Sequence, residues 1–178
     1  MEMKTDEVIE AGVVPLLVRH IDHPSSNVRK DCAWALSNIT AGSEEQIQKV
    51  IDADGLPKLA KIIQKDDPRV RKEAIWCVSN LTQSGSQEQV DETIKQGLLQ
   101  SLAMNTSSKS GLNVDKQLLH VALEGMNNML EKCSNKNESS EIMLKTLSRK
   151  DIEKLTYDED KAVKSVSAKI QLLLSEDE

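Results

Sequence analysis

The chain has 178 residues, enough for one domain with a sizeable core, yet it contains two Trp, one Tyr and no Phe. Its core must therefore come from Leu, Ile, Val, Ala and Met, a palette that suits packed helices and excludes an aromatic-rich sheet sandwich. A formal charge of -6, from 23 basic and 29 acidic residues, disfavours nucleic acid and favours a basic partner.

No apolar run reaches the length of a membrane span, and "MEMKTDEVIE" lacks the basic start and apolar middle of a secretory signal. Cys32, Cys77 and Cys133 each fall within a helical pattern and are expected to be buried, unpaired core residues. The triplets at Asn38, Asn80, Asn105 and Asn137 match the glycosylation pattern, but without an export signal no glycan is expected.

The first predicted element is a short helix ending at Gly12. A second helix follows, then the break "HPSS", then a longer third helix carrying "KDCAWALSNIT", residues 30–40. That sentence returns as "KEAIWCVSNLT", residues 72–82, so that Trp34 and Trp76 lie 42 residues apart, as do Asn38 and Asn80. Between the copies the order repeats: a short helix ending at Gly55, the helix "LPKLAKIIQK" and the break "DDPR". Pro24 and Pro68 are expected to open the third helices.

Gly97 ends the first helix of a third unit, where "SSKSGLNVD" reads as an extended loop before "KQLLHVALEGMNNMLEKC". Here Asn80 and Asn128 are 48 residues apart, an insertion of about six relative to the earlier spacing. The polar run "SNKNESSE" leads into a short last unit, read as a cap with an acidic, frayed "SEDE" end. A period near 40 residues with two or three helices per unit signals an all-α solenoid. We expect one domain over residues 1–178, with units at roughly 1–42, 43–85, 86–134 and 135–178.

Advancing each residue by about 100° along the third helix places Val28, Cys32, Ala35, Leu36 and Ile39 on one arc, the predicted core face. Asp31, Trp34 and Asn38 share a different face. The second copy repeats both sets: Val70, Ala74, Cys77, Val78 and Leu81 face the core, while Glu73, Trp76 and Asn80 stand together outside it. The two rings could simply pad the junction between repeats, but two copies with the same acid and amide neighbours favour a binding surface.

Stacked repeats align such faces into a ladder. An Asn carboxamide both donates to and accepts from a peptide group, so a row of them holds an extended backbone without regard to sequence. Indole faces form slots for long aliphatic stems with cationic heads, and Asp31 and Glu73 are placed to receive those heads. The inferred ligand is an extended peptide rich in Lys or Arg.

The "W-x-x-x-N" pairs in "WALSNITAG" and "WCVSNLTQSG", with "IDADGLPKL" between them, resemble the armadillo repeats of the importin-α family. The resemblance covers nearly the whole chain and is strongest over residues 6–100. It implies a right-handed α-solenoid of armadillo repeats, about three full repeats plus a short terminal cap. It also implies a nuclear import adaptor, in cytoplasm and nucleus, that binds basic nuclear localisation signals in a concave groove.

Counting back from the end, the units with Trp34 and Trp76 match the family's seventh and eighth repeats, part of its minor signal-binding site. Trp34, Asn38, Trp76 and Asn80 then map to signal-binding positions, and Ser37, Asp31 and Glu73 to further groove positions. Asp31 is one methylene shorter than the usual Glu. In the family's penultimate repeat the tryptophan is absent, and here Glu124 stands at that position with Asn128 retained.

By the same resemblance the chain corresponds to a fragment lacking the amino-terminal repeats, the major site and the basic segment that binds importin-β, so importin-β is not an expected partner. The family's carboxy-terminal repeats contact a nuclear export receptor, for which "YDED" and "SEDE" are candidate contacts.

No nucleotide, nucleophile-elbow or paired-cysteine motif is present, so neither catalytic residues nor cofactors are expected. His20 and His23 are three apart but lack a third ligand for a metal. The competing reading is an armadillo scaffold that binds a folded partner without recognising nuclear signals. Self-association through an exposed apolar end is a third.

Overall fold

The computed structural model describes residues 5–106 and 115–175. All but the last residue of the predicted "SSKSGLNVD" loop, and the last three residues of "SEDE", lie outside them.

The described residues form twelve α-helices and no strands. They fall into four triplets. The first helices are α1 (Thr5–Glu10), α4 (Glu44–Asp52), α7 (Gln87–Lys95) and α10 (Lys136–Leu144). The second are α2 (Val13–His20), α5 (Gly55–Lys65), α8 (Leu98–Thr106) and α11 (Arg149–Leu155). The third and longest are α3 (Ser26–Thr40), α6 (Pro68–Ser84), α9 (Lys116–Lys132) and α12 (Lys161–Ser175). The fourth unit keeps all three helices but shortens the second to seven residues.

Local chemistry sets the boundaries. Ser43, Ser86, Asn135 and Ser148 cap first- or second-tier helices with their side-chain oxygens, and Ser86 and Ser148 complete capping boxes with Gln89 and Asp151. Pro68 opens α6 behind the N-cap Asp67, as its fixed φ and missing N–H allow. Pro24 differs from its expected role: it precedes the N-cap Ser25 and lies outside α3.

Gly12 and Gly97 turn the chain between first and second helices with φ of 81° and 80°. In the second unit that left-handed turn falls on Asp54, and Gly55 is not the end of a helix but the first residue of α5. A side chain on Gly55 would start 2.8 Å from the Val50 carbonyl oxygen, so this glycine is required by close packing and not by its own φ.

The third helices stack in sequence, α3 on α6, α6 on α9 and α9 on α12, with α5 against α6 and α8. One continuous aliphatic core runs through the stack, drawing on Leu, Ile, Val, Ala, Met and Cys, with Trp76 packed at its edge. Val70, Ala74, Cys77, Val78 and Leu81 are fully buried as expected. Ala33 and Ile75 are buried as well, although they lie outside the predicted arc, while Val28 and Ala35 are only half-buried. α6 has a third helix on each side and α5 beneath it, and α3 is packed by α2, α4 and α6, so each buries more than one stripe.

Polar staples join consecutive units. Arg29 donates to both carboxylate oxygens of Asp66, Nε at 2.8 Å and Nη2 at 2.6 Å, while its Nη1 reaches the His23 and Pro24 carbonyls. This pairing holds the Asp66 carboxyl below the ordinary carboxylate value and raises the Arg29 guanidinium. Further along, Lys116 pairs with Asp158, and Asp160 accepts from the Ala162 and Val163 amides at the start of α12. Two of the three carboxylates in "YDED" therefore serve the fold.

A groove along the third helices

The face of α3 that the helical period separated from the core is open. Trp34 is 58% exposed, Asp31 is exposed and Asn38 half-buried. The same three positions on α6, Glu73, Trp76 and Asn80, are all half-buried, because α6 has a stacked neighbour on either side.

Hydrogen bonding gives the asparagines a first task within the protein. Asn38 Nδ2 donates to the Trp34 carbonyl at 3.1 Å, fastening the amide to its own helix. Asn80 Nδ2 donates to the Ser37 carbonyl at 3.0 Å, crossing from α6 to α3. Each amide keeps one further N–H and its carbonyl oxygen, so a peptide backbone can still be met.

Ser37 is placed differently from its expected position in the groove. It is 6% exposed, and its hydroxyl donates to the Trp34 carbonyl at 2.7 Å. One residue before Asn38, it turns into the α3–α6 contact, where its own carbonyl serves Asn80. Asp31 pairs with Lys30 at 3.0 Å, an exposed ion pair of small energetic weight. The Glu73 carboxylate makes no hydrogen bond or ion pair with the described residues.

One unit further, the row continues on α9. A cavity of about 360 Å³ opens between α6 and α9, lined by Trp76, Ser79, Asn80 and Gln83 from one helix and by His120, Val121, Glu124 and Asn128 from the other. The expected site omits Gln83, which lies two turns beyond Trp76 on the same side of α6 and was accessible from the helical period.

The remaining candidates stay outside this groove. The cysteines are free and buried, and burial pushes the Cys77 thiol up to about 12. His20 and His23 stack with ring centroids 6.3 Å apart, and their Nδ1 atoms are taken by the Leu16 carbonyl and the Ser25 amide. Among the described residues no three His, Cys, Asp or Glu side chains converge on a metal site, and no helix is long and apolar enough to cross a membrane.

Comparison with known proteins agrees with this architecture. The model of the armadillo/beta-catenin-like repeat matches residues 2–41 and 43–83. Importin subunit alpha-3 of Caenorhabditis elegans is 40% identical over 43 residues, which are 24% of this chain and 8% of that protein. A designed armadillo repeat protein in complex with the peptide (KR)4 superposes with a TM-score of 0.80 at 27% identity, covering 96% of this chain and 67% of its own. A second designed armadillo repeat protein gives 0.82 at 27% identity, covering 96% and 68%. An engineered protein reaches 0.81 at 24% identity, covering 97% and 66%, a likeness of fold alone.

The chain thus spans about two thirds of these solved solenoids and matches a small part of the curated relative. Its fold is that of an α-solenoid of armadillo repeats, with the repeat model matched over residues 2–41 and 43–83.

Proposed function

We propose that this protein is a nuclear import adaptor of the importin-α type, which binds Lys/Arg-rich nuclear localisation signals along the third-helix row. Trp34, Asn38, Trp76 and Asn80 form two rungs of the site, and Asp31 and Glu73 supply carboxylates for cationic heads. Ser37 contributes indirectly, through the carbonyl that orients Asn80.

The observation that carries this reading is the open Trp34 indole beside Asn38, repeated at Trp76 and Asn80 on the next stacked helix. An aliphatic stem gains from lying on an indole face, and its cationic head gains again from the ring and a nearby carboxylate. The (KR)4 ligand of a designed structural neighbour consists wholly of such side chains, long stems with cationic heads. The local identity with an importin alpha subunit points the same way. Residence in cytoplasm and nucleus, and an export receptor as a second partner, belong to this proposal through the family resemblance of the sequence.

Titration with a labelled Lys/Arg-rich signal peptide tests the proposal. The expected result is salt-sensitive binding that quenches Trp emission, weakened at least about tenfold in a Trp34→Ala, Trp76→Ala double variant whose helical circular dichroism is retained. Absence of binding at millimolar peptide, or unchanged affinity in the folded double variant, overturns it.

A further inference from the structure

The third rung is built from different residues. On α3 and α6 an acid precedes the ring by three residues, as Asp31 with Trp34 and Glu73 with Trp76. On α9 the corresponding pair is Val121 and Glu124, so the acid has moved onto the ring position and an aliphatic residue has replaced it. Val121 is buried. Only the asparagine is kept, as Asn128, and its side chain makes no hydrogen bond with the described residues.

This rung closes the far side of the 360 Å³ cavity whose near side is Trp76 and Asn80. The Glu124 side chain is about one third exposed, and its Oε1 lies 3.3 Å from His120 Nε2. The carboxylate is thereby oriented and partly removed from water while its second oxygen stays free to accept. An indole, an acceptor-only carboxylate and the three carboxamides of Asn80, Gln83 and Asn128 line one space.

We infer that this cavity is a third side-chain slot, specific for a lysine or arginine of the bound peptide. The stem lies on Trp76, the cationic head meets Glu124, and Asn80 and Asn128 engage the peptide's main chain. An acidic side chain here would face Glu124 as a like charge, and an apolar one would cover the carboxylate without giving it a partner. His120 holds the carboxylate in position. The inference rests on the proposed reading of the Trp/Asn row and adds to it a rung without tryptophan.

Calorimetric titration of the full chain with the peptide (KR)4 tests it, comparing the wild type with Glu124→Gln and Trp34→Ala. Glu124→Gln keeps the shape and removes the charge, so affinity is expected to fall about fivefold with a shallower salt dependence and an unchanged melting temperature. Glu124→Lys is expected to weaken binding further. If Glu124→Gln binds as the wild type does while Trp34→Ala is weakened, the slot is overturned and the two tryptophan rungs stand. If the wild type does not bind (KR)4, both readings fall.

Discussion

The first and second junctions between units place an arginine at the same point of the repeat and use it differently. Arg29 and Arg71 lie 42 residues apart, each near the start of a third helix. Arg29 finds Asp66 and two main-chain carbonyls, whereas among the described residues the Arg71 side chain hydrogen-bonds only to the Asn105 side-chain oxygen, at 3.5 Å. The repeat supplies the donor, and the neighbouring unit decides what it meets. The groove obeys the same rule: equivalent positions carry Trp34, Trp76 and Glu124, and only the first is fully open.

The largest test of this contrast is stability. Arg29→Ala leaves the Asp66 carboxylate, 11% exposed, with the Asp67 amide as its remaining hydrogen-bond donor, and is expected to cost about 2–3 kcal/mol in denaturant unfolding. Arg71→Ala is expected to cost at most about 1 kcal/mol. Equal losses would show that the two junctions are energetically alike.

Acid sharpens the same difference. Because the folded Asp66 carboxyl is held below its ordinary value by Arg29, the pair stabilises the fold above about pH 4 and loses that contribution as pH falls through the lower, folded value. The stability gap between wild type and Asp66→Asn is therefore expected at neutral pH and should shrink below about pH 4. A constant gap would separate the role of Asp66 from its charge.

The smallest effects divide the two tryptophans. Trp76→Ala is expected to cost about 1–2 kcal/mol because its ring packs on the core, and Trp34→Ala about 0.5 kcal/mol or less because its ring is open. Thermal melts of the single variants read this directly. A large loss at Trp34 would make its ring structural.

Much of this was legible in the sequence. The spacing of Trp34, Trp76, Asn38 and Asn80 revealed the repeat, and the helical period separated their face from Leu36 and Leu81. Ser37 entered the groove through the family resemblance, which matches positions in sequence, while its burial depends on the helix stacked against it. Gly55 looked like a helix end because glycine commonly ends helices, but the constraint is the nearby Val50 main chain. Ala33 and Ile75 escaped the core arc because a helical wheel knows one helix, while the stack surrounds a third helix on several sides.

By itself the sequence determined the all-α class, the unit length, the aliphatic core and the presence of a Trp/Asn row, since each follows from residue type and local period. The tertiary structure alone decided how open each rung is, which staple holds each junction, and that Trp76 and Glu124 share a cavity. Those are relations between residues of different units, 34 or more positions apart in sequence, and they exist only once the helices are stacked.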